Sequence, residues 1–213
     1  MRSFIILCLG CIMFMSCKTK IHPSNLEIKT KEVAENSFVL EKESDFDSIE
    51  KSYIIYIKLN FGSRNINKDC NCPELEEKYI LFKKDNISYI QKVVGDAVYY
   101  PIKLKSNHII SFYVRSFSEF RNEKIDKFKT IEGNQVYVFH HVLKKYILAH
   151  EFNKPITISF HEEDFQKDGF GETNQNYVQN KKLIFYKIDS LLNAEIDNLN
   201  KKDAFIFRKC RKE

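Results

Sequence analysis

Short runs of alternating apolar and polar residues predict β-strands in the first half of the chain. The run 52–61 is rich in aromatic and β-branched residues and is followed by Gly62, which is typical of a strand. Three further runs lie close together: 78–84, 87–94 and 97–104. The residues between them, Asp85-Asn86 and Gly95-Asp96, tolerate positive φ in tight turns. These runs therefore predict an antiparallel meander.

Two segments show apolar residues at helical spacing instead. In 107–122 the stripe consists of Ile110, Tyr113, Phe117 and Phe120, and Ser106 or Asn107 is available as the N-cap. In 177–200 the stripe consists of Phe185, Ile188, Leu192, Ile196 and Leu199. Both segments are predicted to be helices that lie on the sheet.

Three more strand-like runs lie between the two helices: 135–142, 146–152 and 156–160. Lys144-Lys145 is predicted to form the turn between the first two, because lysine doublets are usually solvated. The aromatic and basic tail 204–210 is predicted to return as an edge strand. The order of strands, helix, strands and long helix predicts an α+β fold, an antiparallel sheet packed with two main helices.

The first residues of the chain carry a different pattern. Arg2 precedes an apolar run from Phe4 to Met15, and the polar residues begin at Lys18. At about 12 residues the run is shorter than the roughly 20 that cross a bilayer as a helix, and its flanks are typical of an export signal. We therefore expect residues 1–16 to be a signal peptide outside the fold.

The Ser16-Cys17 junction at the end of this run resembles the lipobox of bacterial lipoproteins, in which the cysteine is diacylated and becomes the mature N-terminus. Phe14 stands where that family usually has leucine. The Lys, Asn and Ile content also resembles lipoproteins of Bacteroidota. The resemblance implies that Cys17 is lipidated. The polar composition after it, rich in Lys, Glu, Ser and Asn, indicates that 17–48 is a tether for a single domain, 49–213. Several acyl chains anchor a protein stably without a transmembrane helix.

Two other interpretations of the leader are open. Gly10-Cys11 is a competing junction, but it would leave a very short apolar run and place the apolar residues 12–15 in the mature tail. An ordinary secretory signal cleaved near Ser16 would instead give a soluble exported protein. The lipoprotein interpretation implies attachment to a membrane through lipid, in the cell envelope, and we expect the outer membrane with the domain on its periplasmic or surface face.

Composition limits the class of partner. Of the 213 residues, 43% are apolar and 14% aromatic, which is enough material for a core. The net charge is +5, with lysine and glutamate interleaved along the chain. A nucleic-acid-binding protein is expected to show a basic stripe with stacking aromatic residues. We therefore expect no nucleic-acid partner and a protein partner in the envelope.

Three cysteines, Cys70, Cys72 and Cys210, lie in the expected mature domain. In an oxidising envelope, a disulfide between Cys210 and either of the other two is favoured. Free thiols and a thiolate metal site at Cys70-Asn71-Cys72 are the alternatives.

Histidine and acidic residues concentrate in one later stretch, and the weak metal candidates are His140, His150, His161, Asp164 and Asp168. The spacing around His161 lacks the second histidine of a zinc protease. The segment 164–175 resembles a calcium-binding loop only in part, because Gln175 stands at the position of the bidentate carboxylate. We expect no metal and no other cofactor.

No phosphate-binding glycine loop and no nucleophile motif occurs in the chain. We therefore expect a non-catalytic binding or adaptor domain held at the envelope. One alternative is a metal-dependent hydrolase that uses the region His140 to Asp164. Another is an immunity lipoprotein that blocks a toxin.

Overall fold

The computed structural model describes residues 51–60, 66–70, 72–73, 76–133, 142–151, 153–169 and 171–210. All of them belong to one of the two compact units of the chain, residues 37–213. The predictions for 1–48, including Cys17, lie outside the described residues, as do His140 and most of the run 135–142.

Twelve strands are present in the described residues: β1 (Ser52–Asn60), β2 (Ile66–Asn67), β3 (Cys72–Pro73), β4 (Glu76–Lys84), β5 (Ile87–Val94), β6 (Ala97–Tyr99), β7 (Ile102–Lys103), β8 (Val142–His150), β9 (Ile156–His161), β10 (Asp168–Gly169), β11 (Glu172–Thr173) and β12 (Phe207–Cys210). Eight of them form one sheet in the order β12-β6-β5-β4-β1-β8-β9, with β7 also paired to β5. Every pairing in this sheet is antiparallel. Two small hairpins, β2-β3 and β10-β11, lie apart from it.

In the part of the chain that the structure describes, three α-helices accompany the sheet: α1 (His108–Phe120), α2 (Tyr177–Asn180) and α3 (Ile184–Lys201). The α+β class with an antiparallel sheet and two main helices is therefore confirmed. The helix predicted over 177–200 is divided, because the chain turns at 181–183. The cause lies elsewhere in the sequence: the carboxylate of Glu123 accepts hydrogen bonds from the backbone N–H groups of Ile184 and Phe185, at 2.6 and 2.8 Å. This tertiary cap satisfies donors that a new helix start leaves free.

The predicted meander is confirmed in β4, β5 and β6. Its first turn places Asp85 at φ 52° and Asn86 at φ 61°, the left-handed conformation that two-residue hairpins require. The side chain of Asn107 accepts the N–H of Ser88 at 2.9 Å and donates to the carbonyl of Asn86 at 2.8 Å. Asn107 does stand at the start of α1, but its side chain binds the hairpin and does not cap the helix.

The helices cover one face of the sheet, which we call the helical face. Its buried strand residues include Ile54, Tyr56, Tyr79, Leu81, Ile90, Tyr146, Leu148 and Phe160. The predicted stripes of α1 and α3 pack against them and belong to the same apolar cluster. Burial of a large apolar side chain contributes about 1.5–3 kcal/mol, so this face holds the fold together.

The C-terminal strand is fixed covalently. A disulfide joins Cys70 to Cys210, with the Cα atoms 5.6 Å apart and a sequence separation of 140 positions. This confirms that Cys210 pairs with one of the two earlier cysteines, and it identifies the partner as Cys70. Closing a loop of this size stabilises a fold by at most about 5 kcal/mol in the chain-entropy view. As predicted, the tail forms an edge strand, since β12 pairs with β6.

The turn predicted at Lys144-Lys145 is wrong. Both lysines lie inside β8, which is hydrogen-bonded to β1 on one side and to β9 on the other. Because side chains alternate along a strand, Lys144 shares the helical face with Tyr146 and Leu148, whereas Lys145 points to the opposite face. Among the described residues, no helix combines the length and apolar character needed to span a membrane.

Candidate functional site

An open cleft of about 360 Å³ lies at one end of the helical face. Its floor is formed by β1 and β8, and its walls by α3 and the 3₁₀ turn Glu162–Phe165. Its lining includes the side chains of Tyr56, Lys58, Lys144, Phe165, Tyr186, Asp189 and Asn193. We refer to this feature as the polar cleft.

Simple periodicity brings the two central residues of the polar cleft together. Lys144 lies two and four residues before Tyr146 and Leu148, so it occupies the core-facing register of β8. Asp189 lies four residues after Phe185 and three before Leu192, so it occupies the buried stripe of α3. The packing of α3 on the sheet therefore places a carboxylate over a lysine.

The side chain of Lys144 is largely buried, but its ammonium group reaches the open polar cleft. Only 8% of its side chain is exposed, and Nζ lies 3.5 Å from Asp189 Oδ2 and 3.7 Å from Glu162 Oε1. No hydrogen bond joins it to the described residues. A lysine carries three N–H donors, and buried polar groups are normally hydrogen-bonded. Because Lys144 Nζ lines the open polar cleft and is not one of the enclosed atoms without a partner, its N–H donors are available to solvent or to a ligand there.

Asp189 is held more firmly than Lys144. Its Oδ1 accepts a hydrogen bond of 2.6 Å from the hydroxyl of Tyr146, which is fully buried. The amide of Asn193 donates to the backbone carbonyl of Asp189 at 2.6 Å and accepts from the hydroxyl of Tyr56 at 3.2 Å. One carboxylate oxygen is thereby fixed, and the other faces Lys144.

The two tyrosines of this network are neutral donors. Burial raises the pKa of Tyr56 well above its usual range, and the charge of Asp189 raises it further. The same two causes, in the same order, raise the pKa of Tyr146. Desolvation and a nearby negative charge both disfavour a phenolate. The hydroxyls can therefore orient polar groups, but they are poorly suited to act as bases at neutral pH.

Aromatic rings provide the apolar part of the polar cleft. Tyr56 stacks on Tyr146 with 4.8 Å between ring centroids. On the opposite wall, Phe165 and Tyr186 lie 5.2 Å apart with their planes tilted. The charged lining comprises two ammonium groups, from Lys58 and Lys144, and three carboxylates, from Glu162, Asp189 and Asp197. The lining is therefore almost balanced in charge.

Asp164, one of the weak metal candidates, has a structural role. Its side chain is 2% exposed; Oδ1 accepts the backbone N–H of Phe128 at 2.7 Å, and Oδ2 accepts that of His161 at 2.9 Å. Lys127 lies 3.4 Å from Oδ2. Asp164 thus joins the segment after α1 to the turn after β9.

The other candidates are dispersed. Nδ1 of His150 lies 2.7 Å from Ser52 Oγ, and the ring of His150 packs against Phe117. Asp168 is exposed and accepts a hydrogen bond of 2.8 Å from the hydroxyl of Thr173. In the described residues, no group of three or more His, Cys, Asp or Glu side chains is arranged to hold a metal ion. His140 lies outside those residues.

The sequence interpretation missed the polar cleft. The signal was present, since Lys144 falls at a core position of an alternating run and Asp189 falls inside an apolar helical stripe. A charged residue at such a position requires a partner. Comparisons of the chain with protein-family models, with curated proteins and with solved structures found no match.

Proposed function

We propose that this protein is a lipid-anchored, non-catalytic binding protein of the cell envelope, and that the polar cleft is its ligand-binding site. The observation that carries the binding site is Lys144: its side chain is largely buried, while its ammonium lines an open cleft and has no hydrogen bond within the described residues. A polar ligand would supply the missing acceptor.

The arrangement around Lys144 favours recognition over catalysis. A general base must accept a proton near neutral pH, but the tyrosine hydroxyls of the polar cleft are held in their neutral form. Asp189 already accepts a short hydrogen bond from Tyr146. Such fixed donors and acceptors suit a site that orients a ligand, because ligand pockets combine apolar walls with a few well-placed polar groups.

The support for the anchor comes from the leader sequence. The short apolar run ending in Ser16-Cys17-Lys18 resembles a lipobox, and lipidation of Cys17 would hold the domain at the membrane through the 17–48 segment. Replacing Cys17 with serine should release the protein from membranes, because serine provides no thiol for acylation. The measurement is fractionation of envelopes with a carbonate wash. A Cys17→Ser protein that still pellets with membranes would contradict the anchor.

Binding at the polar cleft is tested with small molecules extracted from envelopes. Native mass spectrometry of the purified domain should show a bound component that the Lys144→Met variant fails to retain. Lys145→Met is the matched control, because it removes the same charge from the opposite face of the same strand. If both variants retain the component equally, or if no component binds, the polar cleft is not the binding site.

A further inference from the structure

The polar cleft selects the chemistry of its ligand through Lys144. Lys144 Nζ lines the open polar cleft; among the described residues it has two carboxylates near it, at 3.5 and 3.7 Å, and the ring of Phe160 at 5.9 Å. The ligand atom that fills this position must accept hydrogen bonds. An oxygen atom is the natural candidate, because ammonium groups donate but never accept.

That oxygen also lies next to a carboxylate. Oδ1 of Asp189 is occupied by Tyr146, so Oδ2 faces Lys144. An anionic ligand oxygen here would be repelled by Asp189 and Glu162, whereas a carbonyl oxygen could not donate to either of them. A hydroxyl group satisfies both sides, because it accepts with its lone pairs and donates its own proton.

A hydroxyl can lie to one side of the Lys144–Asp189 ion pair and contact both of its charged atoms. Lys144 Nζ and Asp189 Oδ2 are 3.5 Å apart, so one oxygen can lie about 2.8 Å from each of them. The nearby side chains of Lys58, Gln166 and Asn193 also line the polar cleft. They offer further donors and acceptors for neighbouring hydroxyls of the same molecule.

The remaining lining suits the carbon skeleton of such a ligand. Phe165 and Tyr186 form an aromatic wall, against which the C–H face of a sugar ring can pack. The nearly balanced charge of the lining, two ammonium groups against three carboxylates, disfavours ligands of high charge. The volume of about 360 Å³ lies at the small end of the range for ligand pockets.

From these observations we infer that the polar cleft binds a neutral saccharide, one hydroxyl of which bridges Lys144 and Asp189. The inference rests on the proposed function and specifies the class of ligand. A zwitterion such as an amino acid is the competing class of ligand. Its carboxylate could bind the lysines, and its ammonium group could bind the acidic side chains.

The test is calorimetric titration of the purified protein with defined probes. The neutral panel is glucose, galactose, mannose, N-acetylglucosamine and their β-linked disaccharides; the counter-panel is glucuronate, glycine and glutamate. We expect at least one neutral probe to bind, and we expect its affinity to fall about tenfold or more in Lys144→Met. Lys145→Met should bind as the unsubstituted domain does.

A second measurement uses the unsubstituted protein, so it does not depend on a variant that folds. A neutral saccharide that occupies the polar cleft should protect Lys144 from reductive methylation, as measured by mass spectrometry, and leave Lys145 unprotected. If no neutral probe binds, or if binding does not protect Lys144, the inference is overturned. If glycine or glutamate binds and this binding is lost in Lys144→Met, the inference of a saccharide ligand is overturned. The proposed binding function of the polar cleft would still stand.

Discussion

The two ends of the helical face are built from the same strands but differ in chemistry. At one end, which we call the apolar end, Ile54 of β1 lies opposite Leu148 of β8, and both are fully buried under the helices. At the other end, the same two strands place Lys58 opposite Lys144, and the polar cleft opens above them. The tyrosine pair Tyr56 and Tyr146 separates the two ends.

The difference separates the part of the sheet that stabilises the fold from the part that is available for binding. Residues of the apolar end satisfy one another by packing, which stabilises the fold without leaving unfilled groups. At the polar cleft, the partly desolvated ammonium of Lys144 lies 3.5 and 3.7 Å from two carboxylates, so the cost of its desolvation is offset incompletely. Sites that bind ligands commonly sacrifice stability in this way. Changes at the apolar end should therefore affect stability alone, and changes at the polar cleft should affect binding as well.

The largest effect is expected from alkaline pH, because it acts on both ends at once. Burial is the main cause of a raised pKa in four tyrosines: Tyr113, at the apolar end, and Tyr56, Tyr79 and Tyr146. Below about pH 10 both folded and unfolded states keep these protons. Above it, only the unfolded state releases them, so the free energy of unfolding falls by up to about 1.4 kcal/mol per pH unit for each tyrosine.

Titration of the tyrosinate absorbance together with circular dichroism measures this effect. We expect several of the 11 tyrosines to ionise only as the fold is lost, in one cooperative step above pH 10. Asp189→Asn should lower the pKa of Tyr56 and Tyr146 but not that of Tyr113, because Asp189 contributes only to the first two. Smooth ionisation of all tyrosines with an intact dichroism signal would contradict the prediction.

The second effect tests the apolar end alone. Leu148→Ala removes a side chain that is 0% exposed and leaves a cavity beside Ile54. We expect the free energy of unfolding to fall by about 3 kcal/mol, as is usual for buried leucine truncations. Urea denaturation measures it. Affinity at the polar cleft should be unchanged in the folded variant, and a loss below about 1 kcal/mol would show that the site is less tightly packed than its burial indicates.

The contrast between the two ends also explains how far the sequence could predict the structure. The hairpin at Asp85-Asn86 and the helix over 107–122 were predictable because turn chemistry and apolar spacing are local signals. The choice of Cys70 as the partner of Cys210 was not, because Cys70 and Cys72 are nearly equivalent in sequence, and only the position of β12 distinguishes them.

The residues of the polar cleft were hidden for a similar reason. Lys144-Lys145 has the local appearance of a solvated turn, and only the pairing of β8 with both neighbours makes it the centre of a sheet. The partner of Lys144 is Asp189, which lies on α3 far along the chain. The start of α3 depends likewise on Glu123, a residue of a distant segment. Periodicity shows that Lys144 and Asp189 occupy core positions of their own elements, but it does not show which residues of distant segments pair with each other.

The third effect concerns the charge pair of the polar cleft. Asp189→Asn keeps the shape of the side chain but leaves Lys144 with Glu162 as its nearest anion. We expect a loss of about 2 kcal/mol, because removing one partner leaves a buried charge uncompensated. Adding Lys144→Met to Asp189→Asn should restore part of that stability. Urea denaturation of the four proteins gives the coupling energy, which we expect to be about 1–2 kcal/mol. Additive losses would show that the two charges do not interact.

The smallest effect compares one hydroxyl from each end. The hydroxyl of Tyr113 donates to the carbonyl of Ala149 at 2.6 Å in a buried contact, so Tyr113→Phe should cost about 1–2 kcal/mol by leaving that carbonyl unsatisfied. The hydroxyl of Tyr56 makes a longer bond of 3.2 Å to Asn193 beside the open cleft, where water can replace it. Tyr56→Phe should therefore cost less than about 1 kcal/mol. Urea denaturation of both variants measures the two changes in the free energy of unfolding. Equal losses would contradict the expected difference between the two ends.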